Sequence, residues 1–141
     1  MKVAFTTNDS IHVNAHFGSA RQIDIYEASG NGFTFLESLE FQKNLKQDGN
    51  EDKLGPKLAA LSGCSIVYVG AIGGSAASRL IRQKVTPIKA ESSAEIIPLK
   101  LAELVETINN SPPPWLRKVL NQSQPQSYED TFETIEEEVV V

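Results

Sequence analysis

Two stretches of this chain gather residue types that can do chemistry. The first is Val13 to Arg21, V-N-A-H-F-G-S-A-R. His16 offers an imidazole, a common ligand for iron and other transition metals and a group that titrates near neutral pH. Asn14 lies two residues before it. Phe17 beside it could exclude water, and Gly18 would let the backbone approach a large ligand closely. Taken alone, His16 reads more readily as a loop histidine that hydrogen-bonds a carbonyl. His12, the other histidine, has no supporting pattern and is expected to be exposed or structural.

The second stretch is Gly70 to Arg79, G-A-I-G-G-S-A-A-S-R. A glycine loop between a strand and a helix aims free N–H groups at an anion. Gly73 and Gly74 supply the approach, and Ser75 and Arg79 add donors. No Lys-Ser/Thr pair follows the glycines, so this is not a phosphate loop of the nucleotide-hydrolase type. No G-x-G-x-x-G fingerprint is present either. The plainer alternative is a tight turn with close helix–sheet packing around Ala76 and Ala77. Cys64 is a third candidate: a thiolate at a helix–strand junction could ligate iron, or the residue could be a small buried hydrophobe.

The elements that must position these residues follow from periodicity. Lys2 to Thr7 reads as a buried strand and Asn8 to Arg21 as a polar loop. Residues 22–41 alternate around the Ser29-Gly30-Asn31-Gly32 turn signal and predict a β-hairpin. Lys43 to Asn50 reads as loop. Leu54, Leu58 and Leu61 predict a helix over 51–61, with a regular start near Pro56 and a stop at Gly63. Ser65–Val69 and Val85–Lys89 predict strands. Ala76–Gln83 predicts a helix with Ser75 as its N-cap, and Glu95–Asn109 predicts an amphipathic helix. The order β-β-β-α-β-α-β-α implies an α/β fold, a mixed sheet with helices on both faces. This α/β domain spans residues 1–110. A proline-rich segment with a short helix over Trp115–Leu120 occupies 111–120. Residues 121–141 read as an acidic tail, expected to be flexible when alone.

Bulk properties narrow the function. A length of 141 residues suits one domain. One cysteine permits no internal disulfide and no multi-cysteine zinc site. No apolar run approaches a membrane span, and the N-terminus lacks a signal-peptide pattern, so a cytoplasmic protein is expected. Six of the 18 acids fall in residues 128–141, which hold no base, so the 13 basic residues face 12 acids in the rest of the chain. A mildly basic body suits an anionic ligand. The acidic tail would repel nucleic acid. Metal-ion nuclease chemistry would need clustered carboxylates on the central strands, and the first strand has none.

The histidine segment, the stretch C-S-I-V-Y-V-G-A-I-G-G-S-A-A-S-R-L and the tail P-P-P-W-L-R-K-V-L together resemble the NifX-like branch of the dinitrogenase iron–molybdenum cofactor-binding family. NifY and the C-terminal domain of NifB are relatives, and the resemblance covers residues 1 to about 120. It implies a ribonuclease H-like domain that is not an enzyme. It also implies transient binding of an iron–sulfur precursor (the NifB cofactor) or of the iron–molybdenum cofactor. The implied partners are the cofactor assembly proteins NifB and the NifEN scaffold, or apo-dinitrogenase. His16 matches the family histidine implicated in cofactor binding, and Cys64 falls where several members carry a cysteine. Ser75 stands where a proline is common, and Gly55-Pro56 interrupts a usually continuous helix. The rival class is a regulatory or chaperone-like protein that docks on nitrogenase components without carrying cofactor.

Overall fold

The computed structural model describes residues 1–41 and 54–123. The loop expected at Lys43–Asn50, the start of the helix expected over 51–61 and nearly all of the acidic tail lie outside the described residues. The chain divides into two units, Met1–Ser111 and a second that begins at Pro112.

The first unit is a five-stranded mixed sheet with helices. The strands are β1 (Lys2–Thr6), β2 (Gln22–Ser29), β3 (Gly32–Glu40), β4 (Ile66–Val69) and β5 (Thr86–Lys89), in the spatial order β3-β2-β1-β4-β5. The predicted hairpin is present: β2 pairs antiparallel with β3, and Gly32 takes the positive φ of +134° that an L side chain rarely adopts. β1 pairs antiparallel with β2 and parallel with β4, and β4 pairs parallel with β5. The helices of this unit are α1 (Gly55–Ala60), α2 (Gly74–Arg82) and α3 (Ile97–Asn109). Pro56 and Pro98 sit in the first turns of α1 and α3, where no intrahelical N–H is lost.

Because side chains alternate across a strand, each face of the sheet carries its own apolar set. Ala4, Ile23, Ile25, Val67 and Val69 pack with Leu58 of α1 and with Ala76 and Leu80 of α2. Phe17, Leu61, Cys64 and Val85 complete that cluster. On the other face the Phe5 ring stacks on Tyr68, with centroids 5.0 Å apart, and meets Tyr26 edge-on. Helix α3 packs across β2 and β3 through a stripe that includes the buried Ile97, Leu101 and Leu104, none of which belongs to the first cluster.

The second unit contains α4 (Pro114–Ser123), longer at both ends than the expected Trp115–Leu120. Its first turn is closed by the N–H groups of Leu116 and Arg117, which donate to the Pro113 carbonyl. No helix among the described residues is long and apolar enough to cross a membrane.

Candidate functional site

β1 and β4 lie side by side and parallel, so the segments that leave them emerge at the same edge of the sheet. The segment after β1 returns past the end of β4 and runs parallel to the glycine loop. The Gly70 N–H donates to the Ala15 carbonyl at 2.9 Å, and the Phe17 N–H donates to the Ala71 carbonyl at 2.8 Å. These bonds make a short parallel bridge between His16 and Ala71. Buried Thr6, at the end of β1, donates its hydroxyl to the same Ala15 carbonyl at 2.8 Å. At Gly70 a Cβ would lie 3.0 Å from the Ala15 oxygen and 3.1 Å from the Ala15 nitrogen. This glycine is therefore fixed by backbone contact. Gly73 and Gly74 differ, since a Cβ at either would meet open space.

Residues 8–21 form the loop expected, crossed by isolated bridges at His12 and His16, but burial alternates along residues 13–17. Val13, Ala15 and Phe17 are buried, while His16 is exposed and Asn14 half-buried. Alternation explains this pattern: odd positions turn to the core and even positions turn out. Phe17 is thus wholly buried in the core cluster and anchors the segment from beneath. It is therefore not exposed beside His16. Asn14 accepts the Asn8 backbone N–H on its side-chain Oδ1 at 2.8 Å, bracing the preceding turn.

The His16 ring is held in a defined state. Its Nδ1 accepts the Gly18 N–H at 3.0 Å. A neutral imidazole that accepts at Nδ1 carries its proton on Nε2. The ring therefore presents an N–H outward. An iron–nitrogen bond through Nε2 would require that proton to move to Nδ1 and the Gly18 bond to break.

Helix α2 begins two residues earlier than expected. Gly73 is its N-cap residue, so Ser75 lies inside the first turn, makes no side-chain cap and stands exposed. Arg79 is half-buried one turn further along. The start of α2 presents backbone N–H groups that have no partner within the helix itself.

Cys64 is not part of this constellation. It precedes β4, and the glycine loop follows it, so about 20 Å of extended chain separates the two ends. It is buried, and its thiol is pushed up to about 11 by that burial, with Lys2 opposing and Glu37 reinforcing the shift. A thiol held neutral is a poor metal ligand.

His12 is also accounted for. Its Nδ1 meets the Asp9 carboxylate at 2.7 Å, and Asp9 also accepts the N–H groups of Ile11 and His12. These bonds hold the Asp9 carboxyl below its ordinary range. The same segment is tied to the start of α3 by bonds from Val13 N–H to Glu95 O and from Ile97 N–H to Ile11 O. A shallow cleft of about 460 Å³ lies beside that junction, lined in part by Glu91, Glu95, Glu103 and Lys100. Three carboxylates against one ammonium suit an anion poorly, and none of the predicted site residues lines it.

Lys57 is the residue that sequence reasoning missed. It lies on α1, is only 6% exposed, and donates from Nζ to the carbonyls of Phe17 at 3.0 Å and Gly18 at 2.8 Å. Its ammonium also sits 5.8 Å from the centre of the Phe41 ring. Burial lowers its pKa. Among the described residues, no group of three or more His, Cys, Asp or Glu side chains is placed to hold a metal ion.

The sequence model of the family described as "Dinitrogenase iron-molybdenum cofactor" matches residues 1–103, which include both segments of the site. The chain belongs to this family. Within the dinitrogenase iron-molybdenum cofactor family it is similar to NifX proteins. It is 42% identical to NifX of Herbaspirillum seropedicae over 88% of this chain and 84% of that protein. It is 41% identical to NifX of Rhodobacter capsulatus over 99% of this chain and 88% of that protein. A solved structure titled "Crystal structure of PH0822" superposes with a TM-score of 0.52, covering 76% of this chain and 88% of that one. At 17% identity this last likeness concerns the fold alone.

Proposed function

We propose that this protein binds an iron–sulfur precursor of the nitrogenase cofactor, the NifB cofactor, or the finished iron–molybdenum cofactor, and carries it transiently during cofactor biosynthesis. The observation that carries the reading is the fastening of exposed His16 beside the open start of α2 by the bonds Gly70 N–H to Ala15 O and Phe17 N–H to Ala71 O. A preassembled metal–sulfur cluster is bulky and anionic. His16, the backbone N–H groups at Gly74 and Ser75, and the cation of Arg79 offer donors and positive charge on one edge of the sheet. Such a site uses few bonds, which suits cargo that must be released. The His16 Nε2–H can donate to a cluster sulfide as the ring stands, and direct ligation of iron would follow only after the Gly18 bond breaks. Cys64 belongs to the core in this reading and Phe17 to the anchor.

The handover partners are NifB, the NifEN scaffold or apo-dinitrogenase, and the protein acts as a cytoplasmic carrier, not a catalyst. The ribonuclease H-like layout is part of the proposal, supported by the β3-β2-β1 meander continued by parallel β4 and β5. The test is an anaerobic titration of isolated NifB cofactor into the wild-type protein and His16→Ala. The variant is expected to keep its circular dichroism spectrum and to bind at least about tenfold more weakly, about 1.4 kcal/mol. Equal affinity in the folded variant would remove His16 from the site.

A further inference from the structure

The carrier reading assigns no role to the buried ammonium of Lys57, although it lies directly beneath the histidine segment. Removing an ammonium from water is expensive. Methionine is also long and unbranched and could occupy such a path without that penalty. What the lysine adds is its pair of bonds to the carbonyls of Phe17 and Gly18. The first of these bears on His16. The Phe17 carbonyl and the Gly18 N–H belong to one peptide unit, which is planar and trans, so the two groups point in opposite directions. An ammonium that draws the Phe17 oxygen inward turns the Gly18 N–H outward. That outward N–H is the one that meets His16 Nδ1 at 3.0 Å.

We infer that Lys57 is a positioning residue for the His16 imidazole: by fixing the Phe17–Gly18 peptide plane it sets the ring's tautomer and so the Nε2–H that faces the cargo. The same bonds hold two carbonyl oxygens, each partly negative, away from an anionic ligand. The link to cargo rests on the carrier reading, whereas the link to the ring does not.

The experiment separates the two. Long-range proton–nitrogen NMR spectra at about pH 8, where a free imidazole is neutral, report the His16 tautomer without any cargo, and amide exchange reports the Gly18 N–H. Wild type is expected to show the Nε2–H tautomer and a protected Gly18 amide. Lys57→Met, folded by circular dichroism, is expected to show mixed tautomers, Gly18 exchange at least about tenfold faster, and NifB cofactor affinity about three- to tenfold lower. An unchanged tautomer and unchanged exchange in the folded variant overturn the proposal. Changed ring signals with unchanged affinity overturn its link to cargo. If Lys57→Met fails to fold, the wild-type protein decides: a scalar coupling from Lys57 Nζ across the bond to the Phe17 carbonyl supports the inference, and its absence overturns it. A wild-type protein that binds neither the NifB cofactor nor the iron–molybdenum cofactor refutes the carrier reading and leaves the ring measurement standing.

Discussion

The two ends of β4 carry the two soft-ligand candidates of the chain, and their surroundings are opposite. At the end that leads into Gly70, the backbone is fastened to residues 15–17 and the side chain of His16 is left outside. At the end that follows Cys64, the side chain is buried in the core cluster. A histidine and a cysteine have similar standing as metal-ligand candidates in a sequence. Burial separates them here: it leaves the imidazole accessible with a defined tautomer and holds the thiol protonated to about 11.

The contrast can be broken most forcefully at Gly70. Gly70→Ala would place a methyl 3.0 Å from the Ala15 oxygen, so the two segments must move apart. We expect a loss of about 1–3 kcal/mol in chemical denaturation, together with weaker cofactor binding. Gly73→Ala should change stability by less than about 1 kcal/mol, because its Cβ meets open space. Equal losses at the two glycines would mean that the fastening does not depend on close approach.

Cys64 sharpens the same comparison with a smaller effect. Cys64→Ser buries a hydroxyl among apolar groups and is expected to destabilise by about 1–3 kcal/mol. NifB cofactor affinity should stay within about threefold of wild type. Thiol alkylation of the native protein at neutral pH should be slow and should accelerate on unfolding. A tenfold loss of affinity with retained stability would bring the thiol back into the site.

The smallest effect concerns Asp9, whose carboxyl is held below its ordinary value by the His12 and Ile11 bonds. A carboxyl lowered in the folded state contributes stability above its unfolded value and loses it as pH falls through the folded one. Native Asp9 therefore favours folding above about pH 4, and that contribution fades on acidification below it. The group is exposed, so the effect is small and weakens with salt. Unfolding curves of Asp9→Asn should show a shallower loss of stability between pH 4 and 2 than wild type. Superimposable pH profiles would show that the Asp9 bonds to His12 and Ile11 add no stability to the fold.

The hairpin and the amphipathic α3 were legible because each carries a local period, two or 3.6 residues, long enough to stand out, and β1 and β4 because each is a short continuous apolar run. The alternation at Val13, Ala15 and Phe17 has the same physical origin but spans only five residues among turn formers, so it reads as loop. That brevity is why Phe17 is expected at the surface beside His16 but found in the core. Ser75 looks like a cap because serine favours that position, yet α2 starts at Gly74 and leaves it in the first turn. Lys57 leaves no local signal. Its contacts are with carbonyls about forty residues earlier, and a lysine on a short helix reads as a solvated charge until the tertiary fold places it. The juxtaposition of the histidine and glycine segments follows from the parallel pairing of β1 with β4, which periodicity alone does not specify.

The fastening of residues 15–17 to residues 70–71 uses main-chain atoms throughout. Every amino acid with an N–H and a carbonyl can repeat those bonds, so the placement of the site is largely independent of which side chains it displays, with Gly70 the main restriction. The exposed side chains of His16 and Ser75 can therefore be exchanged while the scaffold need not be redesigned. Substitutions at Thr6, Ala15 and Gly70 act on the frame itself, whereas substitutions at the exposed positions act on what the frame displays.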